Sequence, residues 1–203
     1  REGQKSQAYE IIEQMNWEAP DKVIVPIGCG TNSYAIWKGF KEYKMLGLID
    51  STPQIIGVQA KGADPVVQSF NKKLKEVEPI INPRTICSAI SVGDPLDGIL
   101  ALKALRESKG NALGIEDNSA LEAEKLLAKT QSTFVEPASA TTLAALQQMI
   151  DHNILQKDEK IVLMLTGAGL KDPISALKVL YSPPVVEPSF EEVEKYLNYG
   201  FYD

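Results

Sequence analysis

Apolar positions along this chain recur at two spacings that alternate from one end to the other. Ala8, Ile11, Ile12 and Met15 fall three and four apart, which predicts a helix from Lys5 to Met15. A polar break with Pro20 follows, and then a β-branched run, Lys22 to Ile27, that reads as a strand. Ile36 and Phe40, one turn apart, mark a helix from Ser33 to Met45, with Gly47 as its stop. Gln54 to Gln59 reads as a second buried strand, and Val66 to Leu74 as a short helix. Glu78 to Pro95 is broken by prolines and a glycine, with one short extended piece near Thr85 to Ile90. Next come a helix over Gly98 to Ser108 and a strand over Asn111 to Glu116. Ser119-Ala-Leu-Glu122 has the form of a capping box and opens a helix to Lys129. A short strand at Thr133 to Val135 and a helix over Ala138 to Asp151 precede Lys160 to Leu165, the clearest strand of all. A short helix over Ile174 to Leu180 ends at Pro183-Pro184, and Ser189-Phe-Glu-Glu192 caps a last helix.

Strands that alternate with helices of this length need helical crossovers, so the expected class is α/β, an open and mainly parallel sheet flanked by helices. The division expected is one α/β unit over 1–180, then a linker and helix over 181–203. Ser182 to Pro188 is the only linker-like composition, and no repeat is visible. Sheets of this kind bind ligands at the carboxyl ends of their strands.

Charge and composition narrow the partners. The formal charge is -6 with lysines scattered, which argues against nucleic acid or an anionic membrane surface. No apolar run approaches a membrane span, and no signal peptide is visible. Cys29 and Cys87 have no metal-ligand spacing, so a reduced, cytoplasmic protein without a metal site is expected. The chain begins at Arg1 with a helix almost at once, which reads as a portion of something longer, ordinary trimming being the plainer alternative.

Two strand-to-glycine turns are the candidates for chemistry. Gly28, Cys29, Gly30, Thr31 and Asn32 stand between the first strand and its helix. Bare backbone N–H groups at a helix N-terminus favour an anion, so a phosphate is the expected guest; a simple βα turn is the plainer reading. The stretch lacks the third glycine of a dinucleotide fingerprint and the G-K-[ST] of a Walker loop, so a nucleotide is disfavoured. Thr166-Gly-Ala-Gly169 repeats the pattern after the last strand, and the Thr166 hydroxyl could face a ligand. Lys171-Asp172 reads as a solvated pair, and His152 as a surface residue at a helix end.

Taken together, these segments resemble the C-terminal portion of the threonine synthases, pyridoxal-phosphate enzymes of the fold-type II group. Glu2-Gly-Gln-Lys5 is similar to the family's E-G-Q-K-T, and Val25-Pro26 with Gly28 to Asn32 to its phosphate loop V-P-x-G-N-x-G-N. Trp37 to Lys41 resembles the helix behind that loop, Gly57 to Ala60 the second strand, and Ala89-Ile90 with Gly93-Asp94-Pro95 the A-I-R-I-G-x-P segment. Glu136-Pro-Ala-Ser-Ala140 matches E-P-A-S-A, and Leu165 to Pro173 matches L-T-G-x-G-L-K-D-P. The resemblance implies pyridoxal 5'-phosphate, with Gly28, Cys29, Gly30, Thr31 and Asn32 around its phosphate and Thr166 at its ring nitrogen. Glu136-Pro137 would form a wall of the site. The family's substrate is O-phospho-L-homoserine: protons leave Cα and Cβ, phosphate leaves Cγ, and water adds at Cβ to give threonine.

The resemblance also implies what this chain does not contain. The family's Schiff-base lysine lies in an S-x-K segment upstream of E-G-Q-K, as do most substrate-phosphate residues, so this chain alone is expected to be silent and to need an N-terminal portion. A family arginine belongs two places before the Glu of E-G-Q-K; Arg1 is one place before, and no role is carried onto it. Cys29 stands for an asparagine, Thr31 for a glycine, Ser91 for an arginine and Ala168 for a histidine. A related threonine or serine dehydratase is the alternative enzyme; a cofactor- or partner-binding paralogue without turnover is the alternative outside catalysis. The oligomeric state, a homo-oligomer included, is left open.

Overall fold

A computed structural model describes residues 1–178 and 185–199. Four strands, β1 (Lys22–Pro26), β2 (Gln54–Ala60), β3 (Asn111–Ile115) and β4 (Ile161–Leu163), form one sheet in the order β3-β2-β1-β4. All pairs are parallel, with Val23 beside Ile55 and Val162, and Gly57 beside Ala112. The helices are α1 (Ser6–Gln14), α2 (Thr31–Met45), α3 (Pro65–Asn71), α4 (Gly98–Glu107), α5 (Asp117–Gln131), α6 (Pro137–Asp151), α7 (Pro173–Ala176) and α8 (Phe190–Tyr199).

Alternation along the strands splits the core into two layers. Val23, Val25, Ile27 and Ile55 point to one face, where α1, α2, α3 and α4 bring Ile12, Phe40, Val66 and Leu105. Ile24, Ile56 and Val58 point to the other, met by Ala123 and Leu127 of α5 and Ala145 and Met149 of α6. A strand buried on both faces shows no polar alternation, and β1 and β2 have none.

The chain runs outward from β1 through β2 to β3 and then returns to the opposite side of β1 for β4. The strand order therefore reverses between β1 and β4, the place where open sheets leave a crevice. Pro26 widens it. Even-numbered residues of β1 turn their backbone toward β4, as Lys22 N–H to Lys160 and Met164 N–H to the Ile24 carbonyl show. The next donor on that edge would be the N–H of residue 26, and proline has none. The two strands part there, while Ile27 N–H still bonds the Val58 carbonyl on the β2 side.

That break corrects one expectation: the apolar run to Leu165 is strand only to Leu163, because its partner offers no further rung. The piece near Thr85 to Ile90 is a 3-10 turn over Ser88–Ile90, not extended. Thr133 to Val135 forms no strand, only an isolated antiparallel bridge from Val135 to Ala168. Ser119 caps nothing: α5 already starts at Asp117, after an extended Glu116, and Ser119 lies inside it. Asp172 is no simple solvated partner of Lys171, since its carboxylate accepts from Ser175 N at 3.2 Å and Ser175 Oγ at 2.8 Å and so caps α7. At the last helix Ser189 Oγ does accept from Glu192 N, at 3.2 Å. The end of the expected helix at Leu180, the Pro183-Pro184 break and the boundary near 180 lie outside the described residues.

Candidate functional site

A cleft of about 610 Å³ opens at the parted ends of β1 and β4. Gly28 to Ser33 form one wall, Met164 to Thr166 another, with Ala89, Ala138 and Gln7 between. All six residues singled out from sequence, Gly28, Cys29, Gly30, Thr31, Asn32 and Thr166, are thus brought to one cavity from 138 residues apart at the extremes (166 − 28).

The loop is built to present its backbone. Gly30 has φ +93°, and a Cβ there would stand 2.6 Å from the Asp97 carbonyl oxygen. Only glycine satisfies both the left-handed backbone and the close approach. Thr31, Asn32 and Ser33 open α2, so their N–H groups have no helical acceptor. Among the described residues, no N–H from Gly28 to Ser33 donates to a protein acceptor.

The side chains of the loop, by contrast, are committed. Thr31 Oγ1 donates to Asp97 Oδ2 at 2.7 Å, and Asn32 Oδ1 accepts from Gln7 Nε2 at 2.6 Å. Ser33 Oγ donates to the Gly30 carbonyl at 3.0 Å. Asp97 is the buried knot: its N–H bonds the Cys29 carbonyl at 2.8 Å and both its oxygens lie 3.1 Å from Arg1 Nε. The Arg1 guanidinium, first by hydrogen bonding, holds the Asp97 carboxyl below the usual carboxylate range, and Thr31 adds to this. The paired carboxylate therefore stands behind an anion site without opposing it. Cys29 is exposed on the rim.

Gln59, fully buried, supports the loop from beneath. Its Nε2 donates to the Ile27 carbonyl at 3.3 Å, and its Oε1 accepts from Val66 N and Val67 N at 2.9 and 3.1 Å. The last residue before Gly28 is thereby tied to the N-terminus of α3. Neither Asp97 nor Gln59 was legible as functional from sequence; Gln59 within Gly57 to Ala60 read only as strand.

At the opposite wall Thr166 is exposed to the cleft, and Ser139 of α6 holds it. Ser139 Oγ accepts from Thr166 N at 3.0 Å and Gly167 N at 2.7 Å, and lies 3.1 Å from Thr166 Oγ1. Glu136 is buried beside it, with its N–H on the Gly167 carbonyl at 3.0 Å. A Cβ on Gly167 would fall 2.2 Å from Glu136 Oε1, so a side chain there would have to turn the Glu136 carboxylate aside. His152 is elsewhere, on the rim of a second cleft of about 630 Å³ beside β3. Among the described residues no cluster of His, Cys, Asp or Glu could hold a metal ion, and no helix is long and apolar enough to cross a membrane.

A row of free backbone N–H groups at one end and a hydroxyl at the other, across an apolar floor, suits a phosphate-bearing aromatic ring. Residues 1–167 match the family model described as pyridoxal-phosphate dependent enzyme. The chain belongs to that family. It is 44% identical over 196 residues to a threonine synthase of Methanocaldococcus jannaschii, covering 97% of this chain and 48% of that protein. It is 38% identical over 194 residues to a threonine synthase of Methanosarcina acetivorans, covering 96% and 48%. The chain spans about half the length of the curated relatives it matches. In fold it is similar to a processed threonine deaminase of Solanum lycopersicum, with TM-score 0.70, 20% identity, and coverage of 87% of this chain and 48% of that one. A cofactor that carries both a phosphate and a ring fits this cleft, which offers free N–H groups at one end and the Thr166 hydroxyl at the other.

Proposed function

We propose that this chain is the larger part of the cofactor-binding lobe of a threonine synthase that converts O-phospho-L-homoserine and water to L-threonine and phosphate. The observation that carries the reading is the convergence of the free N–H groups of Gly28 to Ser33 and the Thr166 hydroxyl on one crevice. The likeness to threonine synthases in sequence supports it over a dehydratase, because the likeness to a deaminase is one of fold alone.

When bound, pyridoxal phosphate supplies the electron sink for carbanion chemistry. This chain's residues bind and orient. Gly28 to Asn32 hold the phosphate through backbone donors strengthened by the α2 dipole. Asp97 and Arg1 keep that loop in shape, and Thr166 would face the cofactor ring with its hydroxyl. Ala89, Ala138 and Met164 cover the floor and exclude water. Proton transfer at the substrate's Cα and Cβ falls to an amine outside this chain, the Schiff-base lysine expected upstream. A cytoplasmic location and a unit ending near residue 180 belong to the same proposal.

The test is turnover by the complete protein that carries this chain. Phosphate release from O-phosphohomoserine with matching threonine formation is expected. Cofactor binding accompanied only by deamination of threonine or serine would replace the synthase reading with the dehydratase one.

A further inference from the structure

Even-numbered residues of β1 turn their backbone toward β4, and Gly28 continues that series past Pro26, where β4 has already parted from the strand. Its N–H therefore faces the crevice and, among the described residues, meets no protein acceptor. A peptide with no ladder partner on that side can rotate unless its other end is held. The Ile27–Gly28 peptide is trans, so its carbonyl and its N–H point in opposite directions. Fixing the Ile27 carbonyl on the β2 side thus aims the Gly28 N–H into the cleft.

Gln59 of β2 does the fixing. It is fully buried, and its partners identify its two terminal atoms. Val66 N and Val67 N can only donate, so the atom they meet at 2.9 and 3.1 Å is the oxygen. The nitrogen then faces the Ile27 carbonyl at 3.3 Å and donates to it. The first turn of α3 anchors one end of the amide, and the other end holds the first peptide of the loop. The Cys29 carbonyl is held likewise by Asp97 N–H at 2.8 Å, and the Gly30 carbonyl by Ser33 Oγ at 3.0 Å. Of these three holds, that of Gln59 is the one made by a side chain from outside the loop.

We infer that Gln59 is a positioning residue that aims the Gly28 N–H at the phosphate of the ligand in the cleft, without touching that ligand. Resting on the cofactor reading above, its effect is confined to one end of the cofactor: Gln59 sets how much the phosphate adds to affinity and leaves the contribution of the ring alone.

The experiment uses the complete protein and two probes, pyridoxal phosphate and pyridoxal, which differ only in the phosphate. In the wild type, hydrogen exchange at the Gly28 amide should slow with pyridoxal phosphate and not with pyridoxal. The Gln59 side-chain amide resonance should shift with the first probe and not with the second. Slowing by neither probe or by both alike, or an unmoved Gln59 resonance, overturns the inference while leaving the cofactor reading intact. Failure of pyridoxal phosphate to bind overturns both.

Gln59→Glu then separates positioning from support. A carboxylate keeps an acceptor for Val66 N and Val67 N and offers no donor to the Ile27 carbonyl. At pH 8 the preference for pyridoxal phosphate over pyridoxal, read as the ratio of their dissociation constants, should fall about 10-fold or more, with the affinity for pyridoxal itself unchanged. Gln59→Met, which loses both ends of the amide, should lower the ratio as far and the thermal midpoint as well. An unchanged ratio in either folded variant would reduce Gln59 to a structural support and overturn the inference. The wild-type Gln59 resonance decides the matter even if neither variant folds.

Discussion

Glu124 gives the sharpest test of the physical account. It lies on the inner face of α5, 2% exposed, and neither carboxylate oxygen has a hydrogen-bond partner among the described residues. The charge facing it is Asp172, which caps α7 where that helix packs on α5; the Cys87 thiol lies nearby, pushed up to about 12 chiefly by burial. Burial first, and Asp172 second, push Glu124 up from 4.5 to about 7. Below pH 4.5 the carboxyl is protonated whether the chain is folded or not, and the full stability is present. Between pH 4.5 and 7 the unfolded chain releases the proton and the folded one keeps it, so stability falls; above about 7 it levels off. A shift from 4.5 to about 7, at about 1.4 kcal/mol per unit, amounts to about 3 kcal/mol. Glu124→Gln removes the titration and keeps the shape. The variant should match or slightly trail the wild type at pH 4.5 and exceed it by about 2–3 kcal/mol at pH 8 in urea unfolding of the complete protein. A 13C titration of the labelled glutamates should show one midpoint near 7, absent from the variant. Stability curves for the two proteins that run parallel from pH 4.5 to 8 would refute the reasoning, because the folded carboxyl would then titrate as it does unfolded.

Three further outcomes follow from the cleft. Gly30→Ala forces an alanine to φ +93° with its Cβ 2.6 Å from the Asp97 carbonyl oxygen; it should cost about 1–3 kcal/mol and weaken cofactor binding, which a cofactor titration followed by absorbance checks. Gln59→Leu strips Val66 and Val67 of their acceptor in a fully buried site; thermal unfolding should show a loss of about 2–5 kcal/mol, and an unchanged midpoint would remove Gln59 as the support of the loop. Thr166→Val keeps the backbone N–H on Ser139 but deletes the hydroxyl proposed to face the ring; the absorbance spectrum of the bound cofactor should shift and turnover should fall about 10-fold or more, whereas unchanged spectrum and rate would place Thr166 outside the site.

The class of fold was legible because parallel strands buried on both faces leave continuous apolar runs such as Val23 to Ile27, and because helices announce themselves by spacing. The errors have a common origin. Ser119 has the form of a cap, but Asp117, two residues earlier, already lies in the helix and spends its carboxylate on Thr85 and Ile86 N–H. Val135 has strand character, but among the described residues it pairs only with Ala168, in a single bridge. Partners more than thirty residues away in the chain decide such cases, and local spacing does not see them.

The same division holds for the site. The sequence by itself determined where the backbone is bare: Gly28, Gly30, Gly167 and Gly169 follow strand ends, and only glycine tolerates what stands beside Gly30. It also marked Pro26, whose missing N–H parts β1 from β4. What only the tertiary structure decided is how polar groups pair. Asp97 with Arg1 and Thr31, Gln59 with Ile27, Val66 and Val67, and Ser139 with Thr166 and Gly167 are joined across the fold by hydrogen bonds. A hydrogen bond depends on distances of about 3 Å and on which atom holds the proton, and neither exists until the chain has folded.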